Sequence, residues 1–506
     1  MLRWYVRRGF WDLFTFAKFF FARPVKIPKP PAKSGGIEPK PMSEAIPYVA
    51  VHKVMVCPPA DIPKDERTWL PNLAYRAQVW LYKIISPMQG GLPSISADRQ
   101  VALKQAFNGL RRSRFHDPEL PAEYLGSPDL GSLAVRGPFA CYTQRPRNNA
   151  PWEWDLRMLN NYEHHPGLVK IGSRVLFRED PVRHALQAYR IECALGKIEP
   201  TDPRWDQACK IVLCAASTHL SLVRHFNWVH LAGGAQLAIA TRNRLPTNHS
   251  LFRLLWPYIF GTMQSNDMVT RGQMAPRGDF ETTFSFTQKG MCELFDDTYG
   301  QYPHRVNDPE TDGDSRFLRG VSFETPTQRN LKELFDVMHN FVCDYLKIYY
   351  TDTKAIQDDA KVMAWLDELN LRLPNGVGVS RNNVTWDTFA RMLAGQLYLV
   401  TVQHEILGSC MWNYQLWAHR QPARIYQDFR LEPLDVYQRL VNANYILNVR
   451  RRKLIHNFDD IALDANARAA MTRFRKELKA LQDSMDEHPR AVWQLYPDEL
   501  KVNINA

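Results

Sequence analysis

Two histidines five residues apart, His225 and His230, sit in the apolar run from Ala215 to Tyr258, whose helical periodicity begins near Ile211. That spacing constrains the chain more than any other feature. On a regular α-helix residues i and i+4 face the same way, whereas i and i+5 are turned apart by roughly 140°. The two imidazoles can share one ligand only if an extra residue widens one turn into a π-bulge, a device that gathers at functional sites. Otherwise they are two ordinary buried histidines in one helix. The segment alone leaves both readings open.

Other runs are also helical. Leu331, Leu334, Phe335, Met338, Phe341, Val342, Tyr345 and Tyr349 recur at the three-and-four spacing of one buried face, which predicts a helix over Leu331 to Tyr350. Trp386 to Met411 is apolar almost all round, as in a helix inside a large domain, and it carries His404. Short, minor strands are expected near Lys170 to Phe177, with Gly172 at a turn. At 506 residues and 45% hydrophobic content, the chain is long enough to bury a large core. Eight cysteines (Cys57, Cys141, Cys193, Cys209, Cys214, Cys292, Cys343, Cys410) are scattered without a CxxC pair. They read as reduced, packed thiols, which points to the cytoplasm. A net charge of +11 attracts something acidic. No nucleic-acid-reading motif is present, so nucleic acid is not expected as a partner, and an anionic membrane or anionic small substrate remains.

The segment from Met1 to Pro24 mixes nine aromatics with Arg3, Arg7, Arg8, Lys18 and Arg23. Asp12 and Lys18 interrupt it too early for a spanning helix, and it has neither the clean apolar centre nor the cleavage site of a signal peptide. It reads either as an interfacial helix giving peripheral membrane contact or as an amphipathic helix packed on its own domain. Seven prolines between Pro24 and Pro47 make an arm without a core. The expected division is therefore 1–47, a basic aromatic segment with its Pro-rich arm, and 48–506, one catalytic domain. Nothing before the domain has the strand rhythm of a β-sandwich, so no accessory β-domain is expected.

His404-Glu405 opens like the H-E-x-x-H motif of metalloproteases, but position 408 is glycine, which argues against a protease. Four separated blocks fit a different pattern. Ile239 to Leu245, His249, Leu254 to Tyr258, Gly261 to Met263 and Asn266 follow the two histidines. Phe341-Val342 through Tyr350, Asp359 and Trp365 come next, then Val402 to Glu405, and finally Arg473 to Leu478, Leu495 to Pro497 and the tail ending at Ala506. In this order the blocks resemble the catalytic domain of the lipoxygenases, of the bacterial type lacking the N-terminal β-barrel domain. The resemblance covers roughly Trp152 to Ala506. It implies a mainly α fold, one large helical domain with a few short strands. It also implies non-haem iron held by His225, His230, His404 and the Ala506 carboxylate, which are then the catalytic residues. Manganese suits the same donors. The implied reaction takes a hydrogen atom from the doubly allylic carbon of a polyunsaturated fatty acid and adds O2 to the pentadienyl radical, giving a hydroperoxide. Phe226, Val269 and Gly408 fall beside the implied substrate and oxygen channel.

Departures from the family pattern set further expectations. Leu220 replaces the first histidine of the family's run, with His219 one position earlier. Gly408 stands where an asparagine ligand is common, leaving a place for water or for a shifted Ser409. Val269 stands where the family uses Ala or Gly, and Ala506 where it uses Ile. His249 reads as a supporting residue, and His164, His165 and His456 as loop or surface residues. The alternatives are an oxygenase or hydroperoxide-processing enzyme on the same scaffold, acting on another substrate, or a catalytically silent, membrane-associated lipid-binding protein.

Overall fold

The expected helix around Leu331 forms as α6 in a computed structural model that describes residues 26–67, 93–107, 119–146, 150–180, 182, 184–303, 309, 323–441 and 451–504. The 1–24 segment and Ala506 lie outside the described residues. The main helices are α1 (Trp205–His219), α2 (Ala235–Arg244), α3 (Ser250–Ile259), α4 (Thr262–Gly272), α5 (Gln288–Tyr299), α6 (Pro326–Tyr349), α7 (Ala360–Arg372), α8 (Trp386–Tyr398), α9 (His404–Ser409) and α10 (Ala465–Met485). Thr325 starts α6 with a capping box to Gln328, and Pro326 occupies the first turn, where its missing N–H costs nothing. The anticipated apolar face, from Leu331 to Tyr345, is buried. It packs on α8 and α10, and Phe341 stacks on Phe474 at 4.3 Å.

Two rods run through this core. The first is helical without a break from Trp205 to Arg244: α1, a π-helical segment over Leu220–Gly234, then α2. The second is α8, a π segment at Leu399–Gln403, α9, and a third π segment at Cys410–Tyr414. α9 packs on the π segment of the first rod. The polar residues around the first rod are tied down. Arg242, 1% exposed, pairs with Asp65 and Glu66, whose carboxylate also accepts from the Met263 and Gln264 amides. His249 fits its supporting reading: it caps α3 and bonds Asp359, the residue that caps α7.

The few expected strands gather into one small sheet. A four-stranded antiparallel meander runs through β1 (Trp152–Asp155), β2 (Arg174–Asp180), β3 (Ala185–Cys193) and β4 (Gly196–Ile198). The strand foreseen near 170–177 is β2, begun four residues later. Its partner β3 escaped sequence reading because only Leu186 and Ile191 of its nine residues are buried, too few for an apolar alternation. All eight cysteines are free thiols. Among the described residues no helix is long and apolar enough to cross a membrane.

Candidate metal centre

The i,i+5 difficulty of His225 and His230 is resolved by the backbone. Both histidines lie in the π-helical segment Leu220–Gly234, whose turns are wider than those of an α-helix, and at its end the Ala235 amide donates to the His230 carbonyl five residues back. Both rings then face the second rod, their centroids 4.9 Å apart. The second rod repeats the device just before its own histidine, with the His404 amide donating to the Leu399 carbonyl. His404 Nε2 lies 2.9 Å from His225 Nε2 and 2.9 Å from His230 Nε2. Among the described residues, these three buried side chains offer donor atoms that all lie within 4.8 Å of one another.

This arrangement fits a cation. A metal about 2.1 Å from each of two cis nitrogens sets them about 3 Å apart, close to the separations found. A single Nε2–H on His404 can serve only one of its two neighbours, so hydrogen bonding alone leaves one pair of nitrogens in unrelieved contact. The rings are also held neutral, the form that ligates. Burial, then the neighbouring His404, His230 and Arg451, keeps His225 well below the ordinary histidine range. Burial and Arg451 do the same for His404. Burial lowers His230 to about 3, although its bond to Asn266 acts in the opposite direction.

These depressions have a consequence for the metal-free protein. The unfolded chain takes up protons on these histidines below about pH 6.5, while the folded chain does not until pH falls to about 3 at His230. Stability is therefore complete above the unfolded value and is lost progressively as pH falls from there, by several kcal/mol over the window. Denaturant midpoints of the metal-free chain should fall steeply between pH 7 and pH 5, and His230→Asn should flatten the slope. Equal slopes for the two proteins would contradict this account.

Supporting groups orient the rings. Asn266 Oδ1 lies 3.3 Å from His230 Nδ1, and its amide nitrogen donates to the His230 carbonyl at 3.0 Å, which fixes which end faces the ring. Behind His404, Glu405 Oε1 is 3.2 Å from Nδ1 and Arg451 Nη1 is 2.9 Å from it, while Arg451 and Glu405 form a buried two-pronged ion pair. Phe226 adjoins His230 at 5.5 Å between centroids and continues into an apolar wall with Phe280 and Phe295. Val269 is buried in α4, three residues beyond Asn266.

The space beside Gly408 is filled. A Cβ there would fall on the Trp412 indole. That ring lies 6.1 Å from the His225 ring and 6.3 Å from the His404 ring, with the Arg451 guanidinium 4.8 Å over it. The Ser409 hydroxyl donates to the Ile406 carbonyl at 2.7 Å. His219 stays outside the cluster, bonded to the Tyr142 hydroxyl at 3.0 Å. Ile504 reaches the first rod, where its Cδ1 would lie 2.5 Å from a Cβ at Gly234, and Asn503 donates to the carbonyls of Pro257 and Phe260 at the end of α3.

Sequence reading did not assign Glu405, Arg451 or Trp412 to the site. Arg451 sits among four consecutive basic residues, Arg450 to Lys453, and Glu405 enters the sequence patterns only as the neighbour of His404. A signal did exist for Trp412, since it lies one turn beyond Gly408 on the same helix and glycine makes room for it.

Comparison with known proteins agrees with this geometry. Residues 197–392 match the Lipoxygenase family model, a stretch that holds His225 and His230 and ends before His404. The polyunsaturated fatty acid lipoxygenase of Mus musculus is 23% identical over 270 residues, 49% of this chain and 40% of the relative. The manganese lipoxygenase of Pleurotus sapidus is 21% identical over 241 residues, 45% of this chain and 36% of the relative. The matched part thus spans less than half of these relatives. Among solved structures, coral 8R-lipoxygenase superposes with a TM-score of 0.70 at 13% identity, covering 97% of this chain and 80% of that one. The manganese lipoxygenase of Gaeumannomyces graminis superposes with a TM-score of 0.72 at 12% identity, covering 94% and 96%. The structural likeness establishes a shared, mainly helical fold, and over residues 197–392 the chain matches the lipoxygenase family, to which its sequence relatives also belong.

Proposed function

We propose that the chain is a non-haem iron dioxygenase that converts a polyunsaturated fatty acid bearing a 1,4-pentadiene into a lipid hydroperoxide. The observation that carries this reading is the convergence of three neutral, buried imidazole nitrogens across two π-widened rods. In the proposal His225, His230 and His404 hold the metal, joined by the Ala506 carboxylate. The substrate class is supported by what relatives are named for: polyunsaturated fatty acids in the mouse protein, and linoleate in the 13S-lipoxygenase of Solanum tuberosum. A lipoxygenase with a TM-score of 0.70 to this chain is described in complex with arachidonate. Manganese suits the same donors and is the metal named for two of the similar proteins.

When bound, the metal supplies the one-electron chemistry at the doubly allylic carbon, and the chain supplies position and dryness. Asn266 holds the His230 ring with Nε2 inward. The Phe226, Phe280 and Phe295 wall gives the hydrocarbon an apolar surface beside His230 and keeps water from the reacting carbon. In this reading Phe226 and Val269 bound the path of substrate and oxygen, while Gly408, covered by Trp412, admits the ring that closes one side of the site.

The test combines elemental analysis with oxygen uptake on linoleate and arachidonate and identification of the products. A bound iron or manganese ion per chain, with oxygen consumed and a conjugated hydroperoxide formed, is the expected result. Metal-loaded protein that takes up no oxygen but consumes an added lipid hydroperoxide would instead assign it to hydroperoxide processing. A chain that stays metal-free in iron-replete expression would be a silent scaffold.

A further inference from the structure

We propose that Glu405 sets the metal affinity of this site by holding the His404 proton on Nδ1, in competition with Arg451. The proposal rests on the metal reading above and concerns two residues to which neither the family match nor the histidine pattern gives a role.

His404 Nδ1 has two polar neighbours of opposite kind. Arg451 Nη1, 2.9 Å away, can only donate a hydrogen bond, and Glu405 Oε1, 3.2 Å away, can only accept one while ionised. A ring nitrogen satisfies one of them at a time. If Nδ1 accepts from Arg451, the neutral ring carries its proton on Nε2, the atom 2.9 Å from both His225 and His230. That tautomer donates to one neighbouring histidine and has no lone pair for a cation. If Nδ1 donates to Glu405, the Nε2 lone pair is free and points into the triad. Loading the site therefore moves the ring proton from Nε2 to Nδ1 and transfers Nδ1 from the arginine to the carboxylate.

The surroundings hold both contestants in place. His404, Glu405 and Arg451 are all buried, and each nitrogen of the Arg451 fork faces one oxygen of Glu405. The guanidinium is also stacked on Trp412. Arg451 thus keeps the carboxylate aimed at the ring, and the same arginine offers the ring its other partner. His230 shows the simpler arrangement, an amide oxygen at Nδ1 whose other end is pinned to the His230 carbonyl. Glu405 is in these terms a positioning residue, acting on the metal through His404.

The experiment is a titration of the metal-free 506-residue chain with Co(II), read by its visible absorption bands and by competition with a chelator, alongside the melting temperature of the metal-free protein. Glu405→Gln keeps the side chain's size but loses the charge that attracts the Nδ1 proton, and should bind Co(II) about 10- to 100-fold more weakly. Glu405→Asp, which restores the charge, should recover part of that loss. Arg451→Lys keeps a cation for Glu405 without the fork that reaches the ring, and should bind at least as tightly as the unmodified chain. A folded Glu405→Gln protein with unchanged Co(II) affinity overturns the proposal. If that variant does not fold, weaker binding by Arg451→Lys overturns it. Failure of the unmodified chain to bind Co(II) at all would instead overturn the metal reading on which the proposal rests.

Discussion

Replacing His404 by alanine should leave the purified chain without stoichiometric metal and bring fatty-acid oxygenation to background. His225 and His230 come from one rod, and two imidazoles from one helix hold an ion far more weakly than a triad closed from the opposite side. Disturbing a group that merely supports a ligand costs 10- to 100-fold in metal affinity, so losing a ligand should cost more than about a hundredfold. The substitution also leaves the Glu405–Arg451 pair facing a void where the ring had been. A matched control separates loss of metal from damage to the core. His219 is a buried histidine in the same rod, bonded to Tyr142 and outside the cluster. His219→Ala should keep its metal while losing some thermal stability. Metal per chain by elemental analysis and oxygen uptake with linoleate decide the matter. A His404→Ala protein with a full complement of iron would remove this residue from the site.

The parts of this arrangement that sequence could reveal are those carried by periodicity and by residue type. The buried stripe of α6 follows from three-and-four spacing, and the rod that carries His404 follows from its unbroken apolar character. The i,i+5 pair is informative because a regular helix forbids it, so a shared ligand requires a widened turn, and widened turns are what the π-helical segment Leu220–Gly234 supplies. Contacts between residues far apart in sequence were not legible. Arg451 reaches His404 across 47 positions, and nothing in a run of four basic residues says which one turns inward. The absence of a ligand side chain at Gly408 was visible, but its physical cause was not. Glycine there reads as a gap open to water or Ser409, and what sequence did not show is that the space beside its Cα holds the Trp412 ring from one turn further on.

Gly408→Ala should destabilise the metal-free protein, and the sign is the telling feature. In a helix interior the exchange of glycine for alanine ordinarily stabilises by about 1 kcal/mol, because alanine loses less backbone entropy. Here the new methyl would fall on the Trp412 indole. A rigid ring relieves that overlap only by swinging away from Arg451 and from the rings of His225 and His404. Overpacking of this kind costs about 1–3 kcal/mol, more than the propensity gain. Gly408→Asn, which adds a potential ligand, should be worse, since the larger side chain meets the same ring and cannot reach a metal through it. Trp412→Ala removes the obstacle. In that background Gly408→Asn should be tolerated and should tighten Co(II) binding relative to Trp412→Ala alone. The two sites should thus show an interaction of at least about 1 kcal/mol in a double-mutant cycle read by denaturant unfolding. Additive effects, or a stabilising Gly408→Ala, would mean that Trp412 moves aside freely and that the fourth position is open in solution. The coupled result would identify the Trp412 ring, held by Arg451, as the reason position 408 is glycine.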